Sequence, residues 1–192
     1  MKIHHFTLYA ESIRVLAGLI GDDWLGFGGE SMKVRHYQPF AVFLAAQHRR
    51  VTITSTVDFF DIMGEVYEMP IAQLDVHEGA PGFEKAMQGG HAFVHYAGQR
   101  IADVMVIRDV IDENRGDVHT WRVIKDVGIV VVLADGVLAV TQDNPHDEML
   151  IVSLGSTFDD LKIPEVVTRW NDEIGIEYTT VRQLIPVHSL AS

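Results

Sequence analysis

A β-rich α+β fold is what the sequence predicts: a mostly antiparallel, strongly curved sheet or partial barrel with two or three helices packed against it. Three observations lead there. Runs of β-branched residues recur along the chain, as in Val51-Thr52-Ile53-Thr54-Ser55-Thr56-Val57. Asp135-Gly136 stands between the apolar runs 129–134 and 137–141, which is the pattern of a tight hairpin whose central residues take positive φ. Helical stretches are few and far apart, so no β-α-β alternation argues for a doubly wound parallel sheet. The 192 residues, 47% of them hydrophobic, suit a single domain over 1–192 that needs neither disulfides nor a structural metal.

Taken in order, residues 2–9 form a first strand. Residues 11–20 follow with helical spacing, Ile13, Leu16 and Ile20 on one face and Gly21 as the stop. Residues 22–30 read as a glycine-rich loop carrying Trp24 and Phe27. The run 40–46 fits a short helix or a buried strand equally well. Strands are expected over 51–57 and 65–76, the latter an edge or bulged strand because of Pro70. Pro81 and Gly89-Gly90 bracket a short helix over 81–88. A meander follows: 91–96 pairs with 101–111 across a turn at 97–100, and 120–126 comes after a polar link at 112–117. The strand 149–154, a helix over 164–174 stopped by Gly175, and a strand over 176–185 complete the chain. A weak echo links Val106-Ile107-Arg108-Asp109-Val110-Ile111 to Val123-Ile124-Lys125-Asp126-Val127; it reads as neighbouring strands rather than a repeat array.

The formal net charge is -12, from 15 Lys and Arg against 27 Asp and Glu. Such a surface repels phosphate backbones and anionic lipid, so neither nucleic acid nor membrane is an expected partner. The one compact basic run, His48-Arg49-Arg50, reads as a solvated turn. With no cysteine, thiolate metal sites, disulfides and cysteine nucleophiles are all excluded. Neither a signal peptide nor a spanning stretch of about 20 apolar residues is evident, which makes the cytoplasm the expected location.

Ten histidines are the most unusual feature. His77, His91 and His95 form a candidate metal set. On a strand, however, His91 and His95 stand about 13 Å apart, too far to share one ion directly; His77-Glu78 would reach in from a preceding loop, and the competing reading of His91 and His95 is a pair of ordinary strand histidines. The loop 143–148 concentrates oxygen ligands but lacks the glycine of a calcium loop, so it reads as a polar hairpin loop. The glycines of 21–29 match neither a P-loop nor a dinucleotide fingerprint, and Asp22, Asp23 and Glu30 would repel an anion. Trp24 and Phe27 are candidates for an exposed aromatic anchor at an interface, with closure of the core as the competing reading. No G-x-S-x-G elbow is present, and Thr157 with Asp160 fits a cap pattern.

Two functional readings follow, and no cofactor is implied by either. The first is a non-enzymatic acidic binding or assembly protein: an accessory, inhibitory or structural module, homo-oligomeric or steered to a basic protein partner. The alternative is an enzyme or small-ligand-binding domain with a pocket in the sheet, metal-assisted through histidines.

Overall fold

The computed structural model describes residues 2–29, 41–61, 68–79, 92–142, 149–171 and 175–191. Twelve strands are distinguished: β1 (Lys2–Phe6), β2 (Trp24–Gly29), β3 (Ala41–Ala46), β4 (Arg50–Asp61), β5 (Glu68–Glu78), β6 (Ala92–Phe93), β7 (Ile101–Arg115), β8 (Val118–Leu133), β9 (Gly136–Gln142), β10 (Leu150–Gly155), β11 (Arg169–Trp170) and β12 (Ile176–Pro186). One α-helix, α1 (Ala10–Ala17), and two 3₁₀ turns, Phe158–Asp160 and Val187–Ser189, accompany them.

The strands form two sheets rather than one. The larger runs β10-β9-β8-β7-β12-β11 with β1 beside β8; the smaller runs β5-β4-β3-β2-β6. Neither closes on itself. Among the described residues pairing is antiparallel except between β1 and β8.

The main core lies between the sheets, and period-two alternation supplies it. In β4, Val51 and Ile53 are fully enclosed while Thr52 and Thr54 turn to the other face. They join Val42 and Leu44 of β3, Val106 of β7, and Ile129 and Val131 of β8 in one apolar cluster. The helix closes it with Ile13 and Leu16, spaced one turn apart. Its Ser12 hydroxyl donates to the Val76 carbonyl at 3.0 Å, fastening the helix to β5. A buried polar tie crosses the core, where Gln142 Nε2 donates to Ser55 Oγ at 2.9 Å. The outer face of β8 is also covered: Val127 and Val130 pack with Leu161 and Ile163. Burial on both faces explains the nearly unbroken apolar run of residues 127–133.

The strand β8 changes partner along one side. Residues 128–133 pair with β9, and residues 121–125 pair with β1. The change falls at a bulge, because Ile107 faces Gly128 while Arg108 faces Asp126, leaving Val127 as the extra residue. A Cβ on Gly128 would stand 2.7 Å from the Val140 carbonyl oxygen, so only glycine admits β9 this closely.

Several expectations are corrected. Among the described residues there is one α-helix, not two or three. The expected helix over 164–174 is absent from its described part. Residues 164–168 are irregular and lead into β11, because Thr180 N–H bonds the Thr168 carbonyl at 3.0 Å and Arg182 Nη1 bonds that of Pro164 at 2.6 Å. Val166, Val167 and Thr168 are weak helix formers, so these tertiary bonds prevail. Residues 172–174 lie outside the described residues, as do 81–88, where the other helix was expected. Within 40–46, the described residues 41–46 are strand. β6 pairs with β2 in the smaller sheet instead of with β7. The 112–117 link is strand up to Arg115, with a turn at Gly116-Asp117. The Asp135-Gly136 hairpin exists, but its two turn residues are Ala134 and Asp135, since Leu133 faces Gly136 in register. Neither turn residue has positive φ. Gly136 is needed for space: a Cβ there would lie 2.8 Å from the Tyr96 ring. As expected, Thr157 and Asp160 form a reciprocal cap.

Candidate functional site

The ionisable groups inside this fold gather where β8, β7 and β12 lie side by side. Register alone begins the arrangement. In the antiparallel pair, Arg108 faces Asp126 and Asp109 faces Lys125, while β12 brings Arg182 opposite Asp109. Adjacent residues on a strand point to opposite faces, so the two acid–base pairs occupy opposite sides of the sheet.

On one side Arg108 holds Asp126 in a fork, at 2.6 Å and 3.0 Å. Asp126 is fully buried, and its Oδ2 also accepts the Leu8 N–H at 2.8 Å. On the other side Arg182 holds Asp109 in a second fork, both distances 2.7 Å. Lys125, 2% exposed, completes this row. Burial pushes its ammonium down to about 7, with Asp109 pulling the other way.

Two more groups extend the belt along β7. Asp112 accepts a fork from Arg122 at 2.6 Å and 2.8 Å, and His119 Nε2 lies 2.9 Å from it. Hydrogen bonds from Arg122 lower the Asp112 carboxyl, outweighing its partial burial. Glu113 is 1% exposed. Burial raises its carboxyl, but hydrogen bonds from Thr120 (2.6 Å) and Arg115 (3.0 Å), with a further contribution from Tyr178, bring it below its ordinary value. Each carboxylate thus serves a cation or hydroxyl of a neighbouring strand or its own. The belt staples three strands and neutralises itself.

The far edge of β12 is a second feature. β12 pairs with β7 along its whole length, Ile176 to Pro186, whereas β11 covers only Tyr178 and Thr179. The Thr180 N–H reaches Thr168 on that outer side. Antiparallel strands alternate their hydrogen-bonding sides, so Arg182 and Leu184 also direct their backbone N–H and C=O outward. Among the described residues no strand lies beyond them. Val181 is 58% and Leu184 42% exposed beside this edge.

The residues singled out by sequence are placed differently from what was expected. Trp24 and Phe27 are fully buried in β2, which corrects the exposed-anchor reading. Trp24 Nε1 donates to the His95 carbonyl at 2.8 Å, and Phe27 stacks on Phe93 at 5.4 Å. The alternating glycines had suggested a loop, yet they let these large rings close the core between small neighbours. His77 is on β5, with its Nε2 3.1 Å from Asp75, whereas His95 follows β6. These are opposite edges of the smaller sheet, about 19 Å apart at the usual strand spacing, so the two cannot share an ion within one chain. His91 lies outside the described residues. Among the described residues no three metal-ligating side chains come together, and no helix is long and apolar enough to cross a membrane.

The charged belt was not anticipated, although its signal stood in the sequence. The echo of Arg108-Asp109 in Lys125-Asp126 places opposite charges face to face once the two segments run antiparallel. Fold and site together define a two-sheet, mainly antiparallel protein with an ion-paired belt. No family model, curated protein or solved structure matches the chain.

Proposed function

We propose that the chain is a non-enzymatic binding or assembly module acting in the cytoplasm, forming a homo-oligomer or docking a basic protein partner. The observation that carries this reading is the edge of β12 beyond Thr180, which no strand among the described residues covers, with the exposed Val181 and Leu184 beside it. An uncovered strand edge offers backbone hydrogen bonds to another chain. The ion-paired belt adds support: its charges satisfy one another, so the net charge of -12 is expressed toward solvent, where it steers basic partners.

Native mass spectrometry on untagged protein tests the reading. A clean multiple of the 21.5 kDa chain, or salt-sensitive binding of a basic protein, is expected. A strict monomer that binds no basic protein refutes it. The enzymatic alternative has one observation in its favour, the buried Lys125 amine pushed down to about 7. A native mass exceeding the chain by that of a metal or small molecule would transfer support to it.

A further inference from the structure

We infer that the open edge of β12 pairs with the same edge of a second copy of this chain, antiparallel and centred on Gln183. The inference rests on the assembly reading above and names its surface and register.

The open stretch is short and bounded at both ends. Toward the N-terminal end, the outward-facing Thr180 N–H is already taken by Thr168. At the other end, Pro186 has no N–H to offer. Between them Arg182 and Leu184 direct both backbone groups outward, as the alternation of the β7–β12 pair requires. A two-fold axis through Gln183 places Arg182 against Leu184 of the second copy, and Leu184 against its Arg182. Each couple exchanges two backbone hydrogen bonds, so all the open groups are satisfied at once. The same register sets Thr180, whose donor is spent, toward Pro186, which has none. A shift by one residue would set outward-facing groups against inward-facing ones. A shift by two would leave a carbonyl unmatched, that of Leu184 opposite Thr180, whose N–H is spent, or that of Arg182 opposite Pro186, which has none. One antiparallel register therefore satisfies every open group, and it is two-fold.

Side chains and charge agree with it. Val181, Gln183 and Ile185 share one face of β12, so pairing sets the exposed Val181 against Ile185 of the other copy. Two chains each carrying -12 repel one another except where charge is locally neutral. This edge meets that condition, because its one cation, Arg182, is held by Asp109.

The chain contains no cysteine, so Gln183→Cys creates a single thiol on the proposed axis. The two Cα atoms would face one another at about 4.5 Å, the separation of a non-hydrogen-bonded antiparallel pair and within disulfide range. Mild oxidation at micromolar concentration is expected to give a covalent dimer rapidly. Val118→Cys, at a 62% exposed site away from β12, is expected to remain largely uncoupled. In parallel, Leu184→Pro removes an outward N–H without touching a bond to β7, and is expected to convert the wild-type dimer to monomer by sedimentation while circular dichroism is unchanged. Should Leu184→Pro disturb the fold, Val181→Glu is the substitute, since it places charge on the pairing face. A wild-type dimer in which Gln183→Cys fails to cross-link and the folded edge variant stays dimeric overturns this interface but leaves the assembly reading intact. A monomeric wild type overturns the inference; if it still binds a basic protein with salt sensitivity, the broader reading survives.

Discussion

Lys125 and Asp126 are adjacent in sequence and opposite in energetic character. Asp126 is held by Arg108 and by the Leu8 N–H. Asp126→Ala would leave a partly buried guanidinium and a buried amide unpaired, and is expected to cost about 3–5 kcal/mol in urea unfolding. Lys125 instead opposes folding, since burial lowers its pKa from 10.5 to about 7. Between those values the unfolded chain binds more protons than the folded one, so stability rises with pH across that window, and the penalty is complete below it. Lys125→Met, which leaves the Asp109–Arg182 fork in place, is expected to raise the thermal midpoint. The gain should be greatest below about pH 7 and shrink toward 10.5; melts across a pH series check both the sign and the window. Glu113 and Asp112 act in the opposite direction. Their lowered carboxyls stabilise above the unfolded values of 4.5 and 3.8, and that stability is lost as pH falls through the folded ones. Glu113→Gln should therefore lower stability at neutral pH and flatten the acid limb of the stability profile.

At the scale of elements, most strands were legible because their apolar residues alternate or run unbroken, as in 51–57, 129–133 and 137–141. Helical spacing alone does not make a helix. The run 164–174 has helical spacing, yet in its described part Arg182 and Thr180 capture the backbone of residues 164 and 168. No local pattern announces a bond to a strand more than ten residues away. At the β8–β9 hairpin the Asp-Gly pattern predicts a φ requirement, whereas Gly136 serves as a gap for Tyr96. Tyr96 itself takes φ 60 and bonds the Gly155 carbonyl at 3.2 Å, fastening the 95–98 turn across β9 and β10. Gly136→Ala is expected to destabilise by about 1–3 kcal/mol through overpacking. Adding Tyr96→Ala should recover part of that loss, and a double-mutant cycle measures the coupling.

Over the whole molecule, the sequence indicated the class of fold but not the number of sheets. Alternation shows which residues face inward, not which strands share a sheet; β6 joins β2 because Phe93 and Phe27 stack, a contact between residues 66 apart in number. The site was less legible still. Single residues were weighed for their chemistry, whereas the belt exists only through cross-strand register, and the β12 edge only through what fails to cover it.

The parallel pairing of β1 with β8 has a kinetic consequence. Lys2 must find Trp121, and every other pairing among the described residues is antiparallel. Closing so long a loop is slow, and it requires β8 to have taken its place first. β1 should therefore dock late in refolding and detach early under stress. Pulsed hydrogen exchange would record this order as late protection of those β1 amides that point at β8, behind the amides of the β8–β9 hairpin and together with the Leu8 amide held by Asp126.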